Sequence, residues 1–250
     1  NIIYIWPGFY DGPIYGVAVD LGSTTIAANL CALETGNVIS SAGAMNPQIR
    51  FGEDLMSRVS YSMMNSGGAD EMTVAVREGL NSLFNQVAEE AKVDKDLIMD
   101  SVFVCNPVMH HLLIGVDPFE LGQAPFALTT SQSLNLFSKD LGLNINPLAN
   151  SHSLPCIAGH VGADAAAVAL SEAPNLSNDL VLIVDVGTNA EIMLGSKKLG
   201  VLACSSPTGP AFEGAQISSG QRAAPGAIER VQINPKTKEP RFRVIGSDIW

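Results

Sequence analysis

The sequence predicts an α/β fold made of two related lobes that face one ligand. Two observations favour this fold. A short apolar run over residues 16–20 ends in an aspartate, and Gly22 with three hydroxyl residues follows it. The same order of apolar run, aspartate, glycine and hydroxyl residue returns over residues 181–189. An internal repeat of this kind is typical of a protein with two related halves.

The first of these stretches has the residue types of a phosphate-binding turn. Asp20 ends the predicted strand, and Gly22 lets the backbone approach a ligand closely. Successive backbone N–H groups in such a turn, with the hydroxyls of Ser23, Thr24 and Thr25, can cradle phosphate oxygens. Asp20 is placed to hold a divalent cation through water, as magnesium prefers. An ordinary hairpin is the alternative for one such turn alone.

The second stretch strengthens the ligand hypothesis because it repeats the chemistry. Asp185, Gly187, Thr188 and Asn189 follow one another in the corresponding order. Two such turns from two lobes, each with a carboxylate, would form a clamp on a metal–nucleotide. We therefore predict that Asp20 and Asp185 bind magnesium through water, and that the two turns hold the β- and γ-phosphates.

Composition limits the classes of function. The chain has 250 residues with 46% hydrophobic residues, which is enough for one large or two modest domains with a real core. The net charge of −11 argues against nucleic-acid partners and anionic membrane surfaces. No apolar run reaches the roughly 20 residues of a transmembrane helix, and the N-terminal apolar stretch has no basic residues to begin a signal peptide.

The four cysteines, Cys31, Cys105, Cys156 and Cys204, lie far apart and form no C-x-x-C pair. Zinc and iron–sulfur sites of the usual spacing are therefore not predicted within this chain. Cysteines in apolar runs are typical of buried thiols in a reducing cytoplasm. A redox-active cysteine is the less favoured alternative.

The elements follow from periodicity and capping signals. Strands at 27–33 and 38–44 flank a turn at 34–37, and so extend the first strand into a meander. A helix at 53–64 precedes a longer helix at 70–91, where Met72, Val76, Leu80 and Leu83 recur at helical spacing. A strand at 101–105 leads to a helix at 107–114, with Asn106 as its N-cap and two histidines that we interpret as structural.

The remaining elements belong to a less regular part of the sequence and to the second lobe. Residues 115–150 are rich in Pro, Gly, Ser and Asn, which predicts an irregular insertion. A strand at 154–158 and a helix of small residues at 165–170 follow. The second lobe then has strands near 181–185, 192–194 and 199–204, a glycine-rich segment with a short helix, and two strands in the tail. We place the lobes at 14–176 and 177–250.

This order of elements resembles the actin-like (ribonuclease H-like) ATPase fold of actin, Hsp70 chaperones and sugar kinases. The resemblance implies that residues 20–25 and 185–189 are its two phosphate motifs. It also implies that the helix after Gly162 connects the lobes, with Asp164 as the catalytic acid that acts on the attacking water. The adenosine motif of this superfamily is not recognisable, so we expect that the second lobe is incomplete and continues beyond Trp250.

Longer motifs are similar to those of the reductive activators of corrinoid proteins. They lie at residues 45–58, 157–164, 185–191, 209–214 and 223–229, although the second turn has Ala190 where that family usually has glycine. The resemblance implies an ATPase that drives one-electron reduction of Co(II) to Co(I) in a corrinoid methyltransferase partner, using ATP, Mg²⁺ and an electron donor. A [2Fe–2S] cluster would lie in an N-terminal domain absent from this chain. Glu191 and Glu213 are further candidates for contacts with the nucleotide or the partner, and structural roles in their loops are the alternative.

Two alternatives stay open at this stage. The same lobes could belong to a kinase for a small acid or sugar, or to a nucleotide-sensing scaffold that does not hydrolyse ATP. P-loop and Rossmann enzymes are excluded because neither of their glycine motifs occurs. The oligomeric state is also open, with a homodimer among the alternatives.

Overall fold

The computed structural model describes residues 5–6, 8–187, 189–207, 218–221 and 224–247. The chain forms two compact units. The first comprises residues 1–185 together with 191–205, and the second comprises 186–190 together with 206–250. Each unit is described by itself below.

A six-stranded mixed sheet forms the centre of the first unit, in the order β3-β2-β1-β4-β6-β5. β1 pairs antiparallel with β2 and parallel with β4, and β4 pairs parallel with β6. The parallel register brings the carboxyl ends of β1 and β4 together, with Leu21 beside Cys105. The strands are β1 (Tyr15–Leu21), β2 (Thr25–Ala32), β3 (Val38–Met45), β4 (Ile98–Cys105), β5 (Leu134–Phe137) and β6 (Asn150–Ser153).

The predicted meander is confirmed, because β1, β2 and β3 are successive antiparallel neighbours. Alternate side chains of β1 and β2 point into the core, and Val17, Val19, Ile26 and Leu30 are all buried. This period-2 burial is what one covered face of a sheet requires. The meander therefore fixes the direction in which the turn between β1 and β2 leaves the sheet.

Helix α2 (Gly68–Ala91) contacts β2 and β3, and it supplies much of the core. The predicted apolar stripe is confirmed: Met72, Val76, Leu80, Leu83 and Val87 are each at most 2% exposed. Burial of one such side chain contributes roughly 1.5–3 kcal/mol. The stripe consequently anchors the helix more firmly than intrinsic helix propensity could.

Two shorter helices lie beside α2. Helix α1 (Leu55–Met64) is capped by Asp54, whose side chain accepts a hydrogen bond from the Ser57 N–H. Helix α3 (Pro107–Ile114) begins as the sequence predicts, with Asn106 accepting from the Met109 N–H and proline in the first turn. Both caps satisfy N–H groups that a helix start leaves without partners.

The stretch from 115 to 153 contains more regular structure than its composition suggests. β5 forms an antiparallel pair with β6 at the edge of the sheet. The strand predicted at 154–158 is wrong in position, since β6 ends at Ser153. Pro155 has no N–H to donate to a strand ladder, whereas the polar run at 150–153 pairs on both sides.

A second, three-stranded sheet in the order β7-β8-β9 lies mostly in the first unit. Helix α4 (Ala163–Glu172) packs against it, because Val161 and Ala165 form a small buried cluster with Met193. The small side chains of α4 allow this close packing, as predicted for this helix. The strands are β7 (Val181–Val186), β8 (Asn189–Ser196) and β9 (Gly200–Pro207).

The second unit contains one hairpin in its described part. β10 (Ile228–Ile233) and β11 (Pro240–Val244) pair antiparallel, which confirms the two predicted tail strands. The short helix predicted within 217–230 is wrong for the described part of that segment, where residues 218–219 and 224–227 form turns and bends and β10 begins at Ile228. None of the helices in the described ranges has the length and apolar character needed to cross a bilayer.

Candidate functional site

The turn between β1 and β2 is closed by its own backbone. The Gly22 N–H donates to the Thr25 carbonyl at 3.0 Å. A Cβ atom at Gly22 would lie 2.6 Å from that same carbonyl oxygen, which is too close for any side chain. Glycine is therefore required here by a close approach of backbone to backbone. The turn places Ser23 and Thr24 at the carboxyl edge of the sheet, directly after Asp20.

The start of α4 lies against the same edge. A Cβ atom at Gly162 would come within 2.5 Å of the Cys105 carbonyl and 2.6 Å of the Asn106 Cα. This contact places the first turn of α4 at the end of β4, next to β1. Asp164 is in that first turn, where its carboxylate accepts a hydrogen bond from the Ala165 N–H at 2.8 Å.

Three aspartates from three elements of the first unit are close enough to repel one another. Burial raises the pKa of Asp164 to about 6, and repulsion from Asp20 and Asp185 adds to the rise. The Asp20 side chain keeps access to solvent, yet partial desolvation raises its pKa and repulsion from Asp185 raises it further. β1, α4 and β7 thus bring together the carboxylates that the sequence singled out.

Glu191 on β8 is the fourth member of this group. Burial is the largest cause that raises the pKa of Glu191, and repulsion from Asp164 and from Asp185 also raises it. A hydrogen bond from the Ser205 hydroxyl to its carboxylate, at 3.2 Å, opposes that rise. We call Asp20, Asp164, Asp185 and Glu191 the carboxylate cluster.

The carboxylate cluster has the chemistry of a hydrated cation site. No basic side chain in the described ranges forms an ion pair with any of the four groups. Nor does any set of three or more described His, Cys, Asp or Glu side chains have the arrangement that would hold a metal ion directly. Unpaired carboxylates that repel one another fit a cation that keeps its water ligands, as magnesium does.

The second glycine turn lies in the second unit. The Gly187 N–H donates to the Asn189 carbonyl at 2.8 Å, and Asn189 begins β8. A Cβ atom at Gly187 would lie 3.3 Å from that carbonyl oxygen, a tight but less severe contact. Thr188 and Glu213, both predicted site residues, lie outside the described residues. The nucleotide roles of the second turn stay predictions.

Two histidines and two cysteines near the site are buried. His111 accepts a hydrogen bond from the Thr129 N–H at 3.1 Å, while its Nδ1 lies 2.7 Å from the Pro107 carbonyl oxygen, so it ties a loop to α3. Among the described residues, neither ring nitrogen of His110 has a hydrogen-bond partner. Burial raises the pKa of the Cys105 and Cys156 thiols, which keeps both protonated and unreactive.

Sequence reasoning did not single out two residues that reach the first turn. Asn46, just after β3, donates from Nδ2 to the Gly22 carbonyl at 2.8 Å. Arg58 on α1 donates to the Ser23 carbonyl. Both residues belong to the motif at 45–58 that carries the family resemblance, so that motif was the available signal. These contacts could not be predicted from the local sequence, because the contacting residues lie far apart in the chain.

Comparison with known proteins gives two adjoining family matches. Residues 15–174 match the RACo middle region, and residues 179–249 match the C-terminal domain of RACo, the ASKHA domain. The chain is similar to the solved structure of a reductive activator for a corrinoid, iron-sulfur protein, with a TM-score of 0.86 and 33% identity. That match covers 98% of this chain and 39% of the solved chain. It confirms the predicted actin-like fold.

Two curated relatives have related names. The chain is 35% identical over 223 residues to the corrinoid activation enzyme RamQ of Eubacterium limosum, covering 88% of this chain and 37% of that protein. It is 28% identical over 249 residues to the [Co(II) methylated amine-specific corrinoid protein] reductase of Methanosarcina barkeri, covering 94% of this chain and 44% of that protein. The chain thus spans about two fifths of the length of these relatives.

Proposed function

The chain belongs to the RACo family, and we propose that it forms the nucleotide-handling part of an ATP-dependent reductive activator of a corrinoid protein. In this role the whole protein passes one electron from a donor to cobalt, so that Co(II) becomes Co(I). The single observation that carries the proposal is the carboxylate cluster beside a glycine turn, which has no basic ion-pair partner among the described residues. The names of the relatives supply the corrinoid partner.

Each predicted site residue has a role in binding MgATP. The N–H groups and hydroxyls of residues 22–25 bind phosphate oxygens, and Asp20 and Asp185 hold magnesium through its water ligands. Bound Mg²⁺ supplies positive charge that neutralises the phosphates during hydrolysis. Residues 187–189, including Thr188, are assigned to the second phosphate turn. Glu191 and Glu213 bind the nucleotide or the partner.

Asp164 is the group that handles the attacking water. A carboxylate whose pKa is raised to about 6 is still mostly ionised at neutral pH, yet it accepts a proton more readily than an ordinary aspartate. Its hydrogen bond from the Ala165 N–H fixes the carboxylate at the start of α4. Asp164 thus orients the water and takes up its proton as the water attacks the γ-phosphorus, whose bond to the bridging oxygen breaks so that ADP leaves.

ATP is coupled to cobalt reduction because two conformations of the activator differ in their affinity for the corrinoid protein. ATP binding or hydrolysis must favour a conformation that also binds the reducible state of the corrinoid protein more tightly. A [2Fe–2S] domain outside this chain would supply the electron. A reducing cytoplasm suits the free thiols of the four cysteines.

The test uses the full-length protein, a chemical reductant, MgATP and a purified Co(II) corrinoid protein. The visible spectrum is followed for Co(I), with reactions lacking ATP and containing Asp20→Asn as controls. We expect Co(I) only with ATP and the unaltered protein. ATP hydrolysis without Co(I) for any corrinoid protein, or phosphorylation of a small acid or sugar instead, would overturn the proposal.

A further inference from the structure

We propose that Arg58 is a positioning residue for the phosphate turn, acting together with Asn46 to aim the turn's N–H groups at the ligand. The proposal rests on the proposed function, because it names what shapes the nucleotide site. Arg58 lies on α1 and Asn46 follows β3, so two separate elements converge on the turn.

The environment of Arg58 is unusual for an arginine. Its side chain is 0% exposed, yet none of the described carboxylates forms an ion pair with it. Burial lowers the pKa of Arg58 to about 10, which still leaves the guanidinium charged at neutral pH. A buried charge without an ionic partner is costly. Such a cost is expected where the charge serves a site.

The guanidinium spreads its donors over neutral acceptors. Nε donates to the Gly52 carbonyl at 3.0 Å, and Nη2 donates to the Ser23 carbonyl. Nη1 lies 3.4 Å from the Gln48 Oε1 and 3.3 Å from the Met109 sulfur. One rigid fork therefore connects α1, the segment after β3, α3 and the phosphate turn.

Asn46 holds the carbonyls on either side of Ser23. Its Nδ2 donates to the Gly22 carbonyl at 2.8 Å, and its backbone N–H donates to the Thr24 carbonyl at 2.8 Å. Its Oδ1 accepts from the Gln48 N–H at 2.9 Å, which fixes the rotamer of the side chain. Three consecutive carbonyls of the turn are thus bound by Asn46 and Arg58.

This arrangement decides where the N–H groups point. In a planar trans peptide the C=O and the N–H of the same unit point in opposite directions. Because the Gly22 and Ser23 carbonyls face Asn46 and Arg58, the N–H groups of Ser23 and Thr24 face away from them. Those N–H groups are the ones that would bind phosphate, and the positive charge of Arg58 lies behind them.

The experiment compares Arg58→Met with Arg77→Met in the full-length protein. Arg77 is a matched control, since its Nε and Nη2 also donate to a backbone carbonyl, that of Leu113, away from the turn. Thermal unfolding without nucleotide measures the structural cost of each change. Titration with a fluorescent MgATP analogue, well below both unfolding temperatures, then measures affinity.

We expect Arg58→Met to weaken MgATP binding about tenfold or more, while Arg77→Met stays within about twofold of the unaltered protein. Hydrogen exchange of the peptide containing Ser23 and Thr24 should also lose its nucleotide-dependent protection in Arg58→Met. Equal affinity for both variants, or an equal loss in both, would overturn the positioning role. Failure of the unaltered protein to bind any nucleotide would overturn the proposed function instead.

Asn46→Asp provides a second variant if Arg58→Met does not fold. It keeps the Oδ1 acceptor for the Gln48 N–H but removes the donor to the Gly22 carbonyl. The carboxylate has nearly the same size as the amide, so the packing beside Met109 is kept. We expect a folded protein that binds MgATP about tenfold more weakly, and unchanged affinity would contradict the proposal.

Discussion

The two glycine turns share a sequence pattern but are held in different ways. The turn at Gly22 has its carbonyls bound by Asn46 and Arg58, which lie 24 and 35 positions from their partners in the chain. The turn at Gly187 is closed by a hydrogen bond to Asn189, two residues on. A local pattern can therefore predict that a turn exists, whereas the distant residues that bind the first turn cannot be read from that pattern.

The largest effect we expect separates the two glycines. A Cβ atom at Gly22 meets the Thr25 carbonyl oxygen at 2.6 Å, so Gly22→Ala must open the β1–β2 hairpin. We expect a loss of about 3 kcal/mol in the free energy of unfolding and no measurable MgATP binding. Urea denaturation and nucleotide titration measure the two quantities.

Gly187→Ala is the matched change in the other turn. Its Cβ would meet the Asn189 carbonyl oxygen at 3.3 Å, a contact that a small shift relieves. The free energy of unfolding should change by no more than about 1 kcal/mol. A loss for Gly187→Ala as large as that for Gly22→Ala would show that the two turns are equally constrained.

A second prediction concerns the carboxylate next to the first turn. Asp164→Asn should slow ATP hydrolysis about a hundredfold, because the amide cannot accept a proton from water. MgATP affinity should change less than about threefold, since Asp164 is assigned to the water and not to the phosphates. Phosphate release and nucleotide titration distinguish the two effects.

Glu172→Gln is the control for that charge change. Glu172 is an exposed carboxylate at the other end of α4, so its replacement removes the same charge from the same helix. Its hydrolysis rate should match that of the unaltered protein. Parallel losses of binding and hydrolysis in Asp164→Asn would remove Asp164 from its assigned role.

Much of the fold follows from the sequence. The meander, the stripe of α2 and the Asn106 cap of α3 each depend on spacing or on one local hydrogen bond. The repeated pattern also predicted that Asp20 and Asp185 lie close together, because it implied two turns that face one ligand. Sequence reasoning shifted β6 by four residues, because a polar strand such as residues 150–153 has no apolar alternation to reveal it.

The support of the first turn could not be predicted in the same way. The contacts of Arg58 with Ser23 and Met109 depend on how α1, α3 and the meander pack together. No periodicity marks an arginine that is fully buried. Likewise, nothing in the adjacent pair of histidines indicates that the His111 ring is hydrogen-bonded while the His110 ring has no hydrogen-bond partner in the described ranges.

A third prediction uses this difference, because α3 carries His110 beside Met109, which contacts the support of the first turn. Burial lowers the pKa of His110 from 6.5 to about 4. A histidine whose pKa is lower in the folded state binds protons more readily when unfolded. Its contribution to stability is therefore lost as pH falls from about 6.5 toward 4.

His110→Leu removes the group that titrates. It breaks no side-chain hydrogen bond among the described residues. The raised pKa of Asp164 acts in the opposite direction over the same pH range, but it is present in both proteins and cancels in their difference. Between pH 7 and pH 5, the unaltered protein should lose about 2 kcal/mol more of its free energy of unfolding than His110→Leu loses. Urea denaturation at both pH values measures it, and a constant difference would contradict the assignment.

The smallest expected effect tests the sulfur that both supporting residues approach. Met109 Sδ lies 3.4 Å from the Asn46 Nδ2 and 3.3 Å from the Arg58 Nη1. Met109→Leu keeps nearly the same volume but removes this weak acceptor, so the free energy of unfolding should fall by less than about 1.5 kcal/mol. MgATP affinity should fall about twofold, because Asn46 Nδ2 and Arg58 Nη2 keep their carbonyl acceptors in the turn. A loss as large as that of Arg58→Met would mean that packing of α3, and not the hydrogen bonds to the carbonyls, holds the first turn in shape.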